Sequence, residues 1–220
     1  MRQAVLFGVL IPSVILHEIS HGALALVFGD DTAQKAGRLT LNPIPHIDPL
    51  GTIIVPAIAA FSGFGAFGWA KPVPVRPHRL RSPRNHGLLV SLAGPAVNIV
   101  LALIAAGVLR FFRPAHTAGL VSQYFQGADL GPLAPSLFDQ IVFVVGLVNV
   151  ILAAFNLIPL PPLDGSAIIE RFLPKRWFAG WLRMRNYSMG VLLIVVFLLG
   201  PQLSRLVFVP AIDLWSRLLS

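Results

Sequence analysis

Two histidines and a glutamate interrupt an otherwise apolar N-terminal run, in the stretch LHEISHGALAL at residues 16–26. On a helix, His17 and His21 are four residues apart and therefore share one face. Two imidazoles one turn apart can both bind one zinc ion, and a carboxylate next to the first ligand can lie beside the ion without binding it. That is the position of a general base for water at a metal. The pattern predicts a metal centre with His17 and His21 as ligands and Glu18 as the catalytic base.

A catalytic zinc site needs a third protein ligand as well as an open position for water. The chain has no cysteine, so this ligand must be a His, Asp, Glu or backbone group. Asp164 is the best candidate, because three prolines in FNLIPLPPLDG (155–165) break an apolar segment just before it. The alternative is that Asp164 caps a short helix beginning near Ser166, and both roles can hold together. Weaker candidates, expected in loops or at the membrane interface, are Asp48, His46 and His86.

The apolar setting of the histidines favours a functional interpretation. Ionisable groups within a membrane span are costly and usually have a function. The chain has two glutamates, and one of them, Glu18, falls in this run. The alternative is a polar helix face that hydrogen-bonds to neighbouring helices. We favour the first interpretation and expect one zinc ion as the cofactor.

The composition indicates that the whole chain lies in a membrane. Its 220 residues are 55% hydrophobic and 12% charged, about half the charged fraction of a soluble domain. The mean hydropathy is +0.77. The net charge of +8 comes from basic residues clustered between apolar segments, which is typical of membrane topology. We therefore expect an integral membrane protein that is surrounded by the lipid bilayer and binds no nucleic acid.

Four apolar segments are long enough to cross a bilayer, namely 4–28, 87–112, 138–160 and 187–209. A fifth, 50–69, contains one proline and four glycines, and we expect it to re-enter the membrane rather than cross it. No internal repeat and no linker to a second domain is evident. The sequence predicts a membrane α-helical fold, a multi-pass bundle of about four full spans, in one domain covering residues 1–220 with a core over 4–173.

Basic residues predict the direction of the spans. The segments 71–86 and 171–185 each hold five Lys or Arg and no acid, so both are expected in the cytoplasm. The loop 114–136 has no Lys or Arg and is expected outside. Asp164 then follows an inward-running span and lies near the cytoplasmic face. A re-entrant fifth segment brings the two histidines to the same depth, so we expect the active site towards the cytoplasmic side.

The segment AGRLTLNPIPHIDPLGTIIV (36–55) has a different pattern. The stretch RLTL alternates polar and apolar residues, two X-Pro pairs mark turns, and GTIIV is β-branched. This pattern predicts a small membrane-associated β-hairpin on the cytoplasmic side. Its exposed edge could hold an unwound substrate by β-strand addition.

Three motifs together resemble the site-2 protease family of intramembrane zinc metalloproteases: HEISH in the first span, SLAGPAVN at 91–98 and FNLIPLPPLDG at 155–165. The stretches RLTLNPIPHIDPLGT and FGWAKPVPV (67–75) resemble its compact bacterial and archaeal branch, so the resemblance implies a prokaryotic cell membrane. It covers the chain from His17 to about Leu173. We expect no PDZ or CBS domain. The implied zinc ligands and base are His17, His21, Asp164 and Glu18.

Two asparagines receive different interpretations. Asn156 matches a family asparagine that contacts the substrate or stabilises the oxyanion. From the residues alone, an equally good alternative is that Asn156 caps or bridges the broken backbone near Pro159. Asn98 lies among small residues, and we interpret it as a structural link between helices.

The resemblance implies a zinc metalloendopeptidase whose partner is the transmembrane helix of a substrate protein. One alternative is a membrane zinc hydrolase acting on a lipid or small molecule. A second is a non-catalytic zinc-dependent binder of membrane proteins, against which the intact Glu18 argues because a binder needs no base. A third is a transporter with an ion path, which inverted repeats would support, and none is evident.

Overall fold

The computed structural model describes residues 2–49, 51, 70–113, 117, 120, 136–185 and 187–219. The chain divides into two compact units. The first unit is Val14–Gly94, and the second joins Met1–Ser13 to Pro95–Ser220. Each unit has a packed hydrophobic cluster of its own.

Helices account for the regular structure of the described residues. Between the first and the second of the long helices, two 3₁₀ turns lie at Ile44–His46 and Pro77–Arg79. A π-helical turn extends the second long helix at Val108–Phe112, and another joins the last two helices at Ser204–Phe208. In chain order the α-helices are α1 Arg2–Val27, α2 Thr32–Lys35, α3 Pro83–Gly107, α4 Leu137–Asn156, α5 Ser166–Phe172, α6 Lys175–Arg185, α7 Ser188–Leu203 and α8 Val209–Leu219.

Four helical stretches of the described chain are long and apolar enough to cross a membrane, and they confirm the predicted number of spans. The third stretch ends at Asn156 rather than near 160, because the prolines that follow cannot continue a helix. The fourth runs on to Leu219 through a kink at Leu199. The chain is therefore a multi-pass membrane protein, with spans at Ala4–Val27, Pro83–Phe112, Leu137–Asn156 and Ser188–Leu219.

The predicted β-hairpin over 36–55 is wrong. The described part of the chain contains no strand, and residues 36–49 form turns, bends and the 3₁₀ turn instead. Prolines at 43, 45 and 49 lack the N–H groups that a strand ladder needs. The side chain of Asn42 accepts the Ile44 N–H at 3.1 Å, which stabilises a local turn. Without a strand, β-strand addition of a substrate at this segment loses its basis.

Two other predictions fall largely on residues outside those described. Of the segment 50–69, expected to re-enter the membrane, only Gly51 is described. Of the loop 114–136, expected outside the cell, only Thr117, Leu120 and Ser136 are described. Both remain predictions.

Asp30 connects the turn after α1 to a distant part of the first unit. Its buried carboxylate accepts hydrogen bonds from the hydroxyl of Thr32 at 2.5 Å and from the N–H of Arg76 at 2.5 Å. Burial raises the pKa of Asp30, but these bonds, the Thr32 N–H and the charge of Arg79 outweigh it, so the pKa lies below its usual range. The end of α1 is thus tied to the segment that precedes α3. The apolar cluster of this unit is Ala25, Leu80 and Val90.

Trp215 of α8 is the largest fully buried side chain of the second unit. Its indole contacts Phe143 with 5.9 Å between ring centroids, and it lies against Gly146 of α4 so closely that a Cβ there would collide. The small residue at 146 therefore allows α8 to pack on α4. Ser136 and Asp139 form a capping box that begins α4.

A buried series of hydrogen-bonded polar side chains joins three helices of the second unit. The amide of Asn98 donates to the Asn149 side-chain oxygen at 2.6 Å, and the Asn149 amide donates to the Ser13 hydroxyl at 2.9 Å. All three side chains are buried. The interpretation of Asn98 as a link between helices is confirmed.

Replacing Asn149 with Leu is expected to lower the free energy of unfolding by about 1–2 kcal/mol, because it removes the amide that joins Asn98 to Ser13. Denaturant titration of the purified protein in mixed micelles measures the change. The control is Ile141→Val on the more exposed side of the same helix, expected to change stability by less than about 0.5 kcal/mol. Equal stability of Asn149→Leu and the control would remove the structural role of this chain of bonds.

Candidate metal centre

Helix α1 brings His17 and His21 together within the first unit. The two imidazole rings have centroids 4.8 Å apart and are nearly perpendicular, at 83°. Both side chains are buried. The four-residue spacing puts them on one helix face because each turn takes about 3.6 residues. Two buried imidazoles at this separation are suited to sharing one metal ion.

The backbone of α3 orients the second imidazole. Nδ1 of His21 lies 2.7 Å from the carbonyl oxygen of Val90. A carbonyl can only accept, so Nδ1 carries the proton and Nε2 keeps its lone pair. A hydrogen bond of this kind fixes the ring and the tautomer that binds a metal through Nε2.

Gly94 of α3 leaves open the space in front of both histidines. A Cβ at this position would lie 2.5 Å from Nε2 of His17 and 2.5 Å from Nε2 of His21. Zinc binds imidazole nitrogen at about 2.0–2.1 Å, so the space that a side chain would fill is the space that an ion needs. The two nitrogens and this glycine therefore form a cradle that fits a metal ion.

Glu18 is positioned by a segment far away in the sequence. One of its carboxylate oxygens accepts the Val73 N–H at 2.8 Å, and its side chain is half-buried. Val73 stands between Pro72 and Pro74, which have no N–H and hold the backbone extended. Val73 therefore supplies the single backbone donor of this tripeptide. The bond directs the Glu18 carboxylate towards the segment Pro72–Pro74, within the unit that also holds both histidines.

Asp164 lies in the second unit, at the end of a closed loop that follows α4. The N–H of Gly165 donates to the Asn156 carbonyl at 2.7 Å. Gly165 also lies against the carbonyl of Leu157 so closely that a Cβ would collide with it. Gly165 is the N-cap residue of α5, so Asp164 precedes the capping position that the alternative interpretation gave it. The loop thus holds a half-buried carboxylate at a defined place.

The side chain of Asn156 bonds within its own helix. Its amide donates to the carbonyl of Leu152 at 3.0 Å, one turn earlier. Together with the bond from Gly165, this agrees with Asn156 bridging the broken end of α4. An amide nitrogen carries two protons, so this contact leaves a second donor for another acceptor.

The weaker ligand candidates have partners elsewhere. A carboxylate oxygen of Asp48 accepts the Gly51 N–H at 2.9 Å. Nε2 of His46 lies 3.0 Å from the carbonyl of Thr40, and Nδ1 of His86 lies 3.2 Å from the Ser82 N–H. Within the described residues, the group suited to holding a metal includes none of Asp48, His46 and His86.

Three features of the site were missed in the sequence, namely Gly94, the Val90 carbonyl and the Val73 N–H. A glycine within a helix costs about 1 kcal/mol relative to alanine, so Gly94 did carry a signal that something needs the space. The two backbone groups gave no such signal, because almost any residue type supplies them. Only the flanking prolines pointed to the Val73 N–H.

The first unit places two imidazoles, an adjacent carboxylate and a cradle for an ion on or against a membrane-spanning helix. These features define a metallopeptidase-like centre within a membrane protein. The model of peptidase family M50 matches residues 5–199. The chain belongs to this family, the site-2 protease family, and it is a zinc metalloprotease.

Its relatives agree with this assignment. The chain is 40% identical over 186 residues to the candidate zinc metalloprotease YwhC of Bacillus subtilis, which covers 84% of this chain and 77% of that protein. It is 32% identical over 198 residues to the candidate zinc metalloprotease Rip2 of Mycolicibacterium smegmatis, covering 89% and 67%. It is 25% identical over 200 residues to the zinc metalloprotease MJ0392 of Methanocaldococcus jannaschii, covering 90% and 43%. No solved structure matches the chain.

Proposed function

We propose that the chain is an intramembrane zinc endopeptidase, which hydrolyses a peptide bond within or near a transmembrane segment of another membrane protein. The depth of HEISH within the span Ala4–Val27 is the observation that carries this proposal. At 1.5 Å per residue, His17 and His21 lie about 15 and 9 Å before the end of the span at Val27. A bond that reaches these side chains must itself enter the membrane.

One zinc ion is proposed to be held by His17, His21 and Asp164. The first unit supplies two buried imidazoles, and the second supplies a half-buried carboxylate at the end of a closed loop. Two neutral imidazoles and one carboxylate are a donor set typical of catalytic zinc, with a fourth position left for water. The cradle at Gly94 supports the fit on the histidine side.

Glu18 is proposed as the general base and acid. A zinc ion in this site supplies Lewis acidity, which makes water a better nucleophile and polarises the substrate carbonyl. The Glu18 carboxylate accepts the proton of the attacking water and returns it to the leaving amine. Glu18 therefore ends the cycle in the protonation state in which it started. The N–H of Val73 holds the carboxylate through one oxygen, which keeps its direction constant through both transfers.

The substrate is proposed to unwind before it is cut. A transmembrane helix engages each carbonyl in an i→i−4 hydrogen bond, so the attacked carbonyl must first lose that bond. Asn156 is proposed to contact the substrate with its second amide proton, since the first bonds to Leu152. This role compensates one polar group that unwinding exposes.

The active site is proposed to open towards the cytoplasm. The basic residues that follow the first span support this orientation, because Lys35 and Arg38 come shortly after the end of α1. His21 precedes that end by about 9 Å and His17 by about 15 Å, so neither lies beyond the midplane of a bilayer core of about 30 Å. Water and cleaved product then need to cross only the cytoplasmic half of the membrane.

Replacing Asp164 with Ala is expected to lower the bound zinc to well under one ion per chain, because a carboxylate ligand is lost and two imidazoles hold zinc weakly by themselves. Metal analysis of the purified protein measures this, and cleavage of a reconstituted transmembrane peptide should be lost with it. Asp213→Ala, which removes an acid of α8 instead, is the control and should keep both properties.

Unchanged zinc content in Asp164→Ala would contradict its role as a ligand and would return it to a structural role at the start of α5.

The class of reaction is tested by offering the wild-type protein different substrates. If the wild-type protein releases products from a lipid or small ester but not from a set of transmembrane peptides, the membrane hydrolase interpretation replaces the endopeptidase.

A further inference from the structure

An open groove runs along α6 in the second unit, apart from every residue assigned above to metal binding or catalysis. It encloses a volume of about 470 Å³ and is lined by Leu173, Arg176, Trp177, Gly180 and Trp181. Gly180 adds no side chain to this groove. A Cβ built there would have no atom within 4 Å, so the space beside it is open.

The lining combines one guanidinium with two indoles. Trp177 is 62% exposed although it is one of the largest apolar side chains of the unit. The indole N–H of Trp181 donates to Glu170 at 3.3 Å, which fixes this ring against α5. Arg176 and Arg183 are seven residues apart and so share a helix face with Gly180. The groove therefore offers positive charge beside exposed aromatic surface.

The position of α6 explains why such a surface is exposed. The helix lies between the spans Leu137–Asn156 and Ser188–Leu219, in the segment 171–185 that carries five Lys or Arg and no acid. Such a segment is expected at the cytoplasmic face, where the leaflet carries anionic lipids. Tryptophan is enriched at the level of the lipid headgroups because one part of its ring is apolar and the N–H is polar.

We propose that this groove binds the headgroup of an anionic phospholipid of the cytoplasmic leaflet. Arg176 binds the lipid phosphate, because a guanidinium fork matches phosphate oxygens. Trp177 packs against the glycerol and upper acyl region, and Gly180 leaves room for the headgroup. A free phosphate ion would use the charge alone and leave the exposed aromatic surface uncovered.

The experiment uses the full chain reconstituted in phosphatidylcholine nanodiscs. A small fraction of the lipid is replaced by dibrominated phosphatidylglycerol or, in the second arm, dibrominated phosphatidylcholine. Bromine quenches nearby indoles, and the quantity measured is the ratio of the two lipid fractions that give half-maximal quenching. Trp69 and the buried Trp215 are present in every variant, so a difference between variants reports on the groove. Inorganic phosphate is added in a third arm.

The wild-type protein is expected to prefer phosphatidylglycerol. Arg176→Gln should lower the preference about fivefold, the effect of one basic residue near an anionic surface. Gly180→Leu should lower it without changing any charge, because the new side chain fills the groove. Arg110→Gln, at the far end of the second span, is the control and should leave the preference unchanged.

Either of two results in the lipid arms would overturn the proposal. One is equal quenching by both lipids in the wild-type protein, which means that the groove does not select an anionic headgroup. The other is an undiminished preference in both Arg176→Gln and Gly180→Leu, which places the lipid elsewhere. Abolition of the preference by millimolar inorganic phosphate would assign the site to free phosphate instead and also count against a lipid.

Discussion

Glu18→Gln is expected to abolish peptide-bond cleavage while the purified protein still binds one zinc ion. Glutamine has nearly the same shape and its amide oxygen can still accept the Val73 N–H, but it cannot accept the proton of the attacking water. Loss of a general base typically lowers the rate about 10²–10⁴-fold. Rates of cleavage of a reconstituted transmembrane peptide, together with metal analysis of the same sample, measure both halves of this prediction.

The chain provides a matched control for this substitution. Its other glutamate, Glu170, lies at the end of α5 and accepts a hydrogen bond from Trp181. Glu170→Gln should keep both zinc and activity. Proteolysis that survives in Glu18→Gln would remove Glu18 from the role of base, whereas loss of zinc in that variant would make it a metal-site residue.

Gly94→Ala is expected to lower the zinc affinity at least about tenfold. Substitutions of residues that surround metal ligands typically lower metal affinity about 10–100-fold. The added Cβ would lie 2.5 Å from Nε2 of both His17 and His21, where the ion needs to be. Competition with a zinc-binding dye during dialysis measures the affinity. Activity should fall in proportion to the zinc lost and should recover partly at high zinc concentration.

Gly87→Ala is the control for this second substitution. It lies on the same helix, and a Cβ there meets no atom within 4 Å. The change should leave zinc affinity unaltered, since alanine is the better helix former by about 1 kcal/mol. If Gly94→Ala binds zinc as tightly as Gly87→Ala, then the ion does not lie in the cradle between α1 and α3.

The histidines, Glu18 and the spans could be predicted from the sequence for a simple physical reason. A metal site needs particular side-chain types, and on one helix it needs them at the spacing of a helical turn. A span needs only apolar length, which any stretch of sequence displays directly. The metal site at HEISH and the four spans could therefore both be predicted from residues that are contiguous in the sequence.

The β-hairpin over 36–55 failed because a short alternating stretch was given more weight than the prolines around it. Each proline removes a donor from a possible strand ladder, and three of them within seven residues leave too few bonds. The local turn at Asn42 supplies those bonds within the segment instead. Alternation over four residues is a weak signal when the backbone donors are missing.

The groups that orient the site could not be predicted for the opposite reason. The Val90 carbonyl fixes His21 and the Val73 N–H fixes Glu18, yet both are backbone groups that leave no trace in residue type. Their partners are 69 and 55 residues away in the chain, so only the folded structure brings them together. Gly94 could have been recognised as costly, but the sequence did not reveal which atoms it makes room for.

The proposed activity of this chain is the zinc-dependent cleavage of a peptide bond at membrane depth. The most direct test is mass-spectrometric mapping of the products from a transmembrane peptide in vesicles, with metal-free protein before and after zinc is restored. We predict a cut within or at the edge of the apolar segment that appears only with zinc. A cut confined to the soluble flanks, or one independent of zinc, would contradict the account.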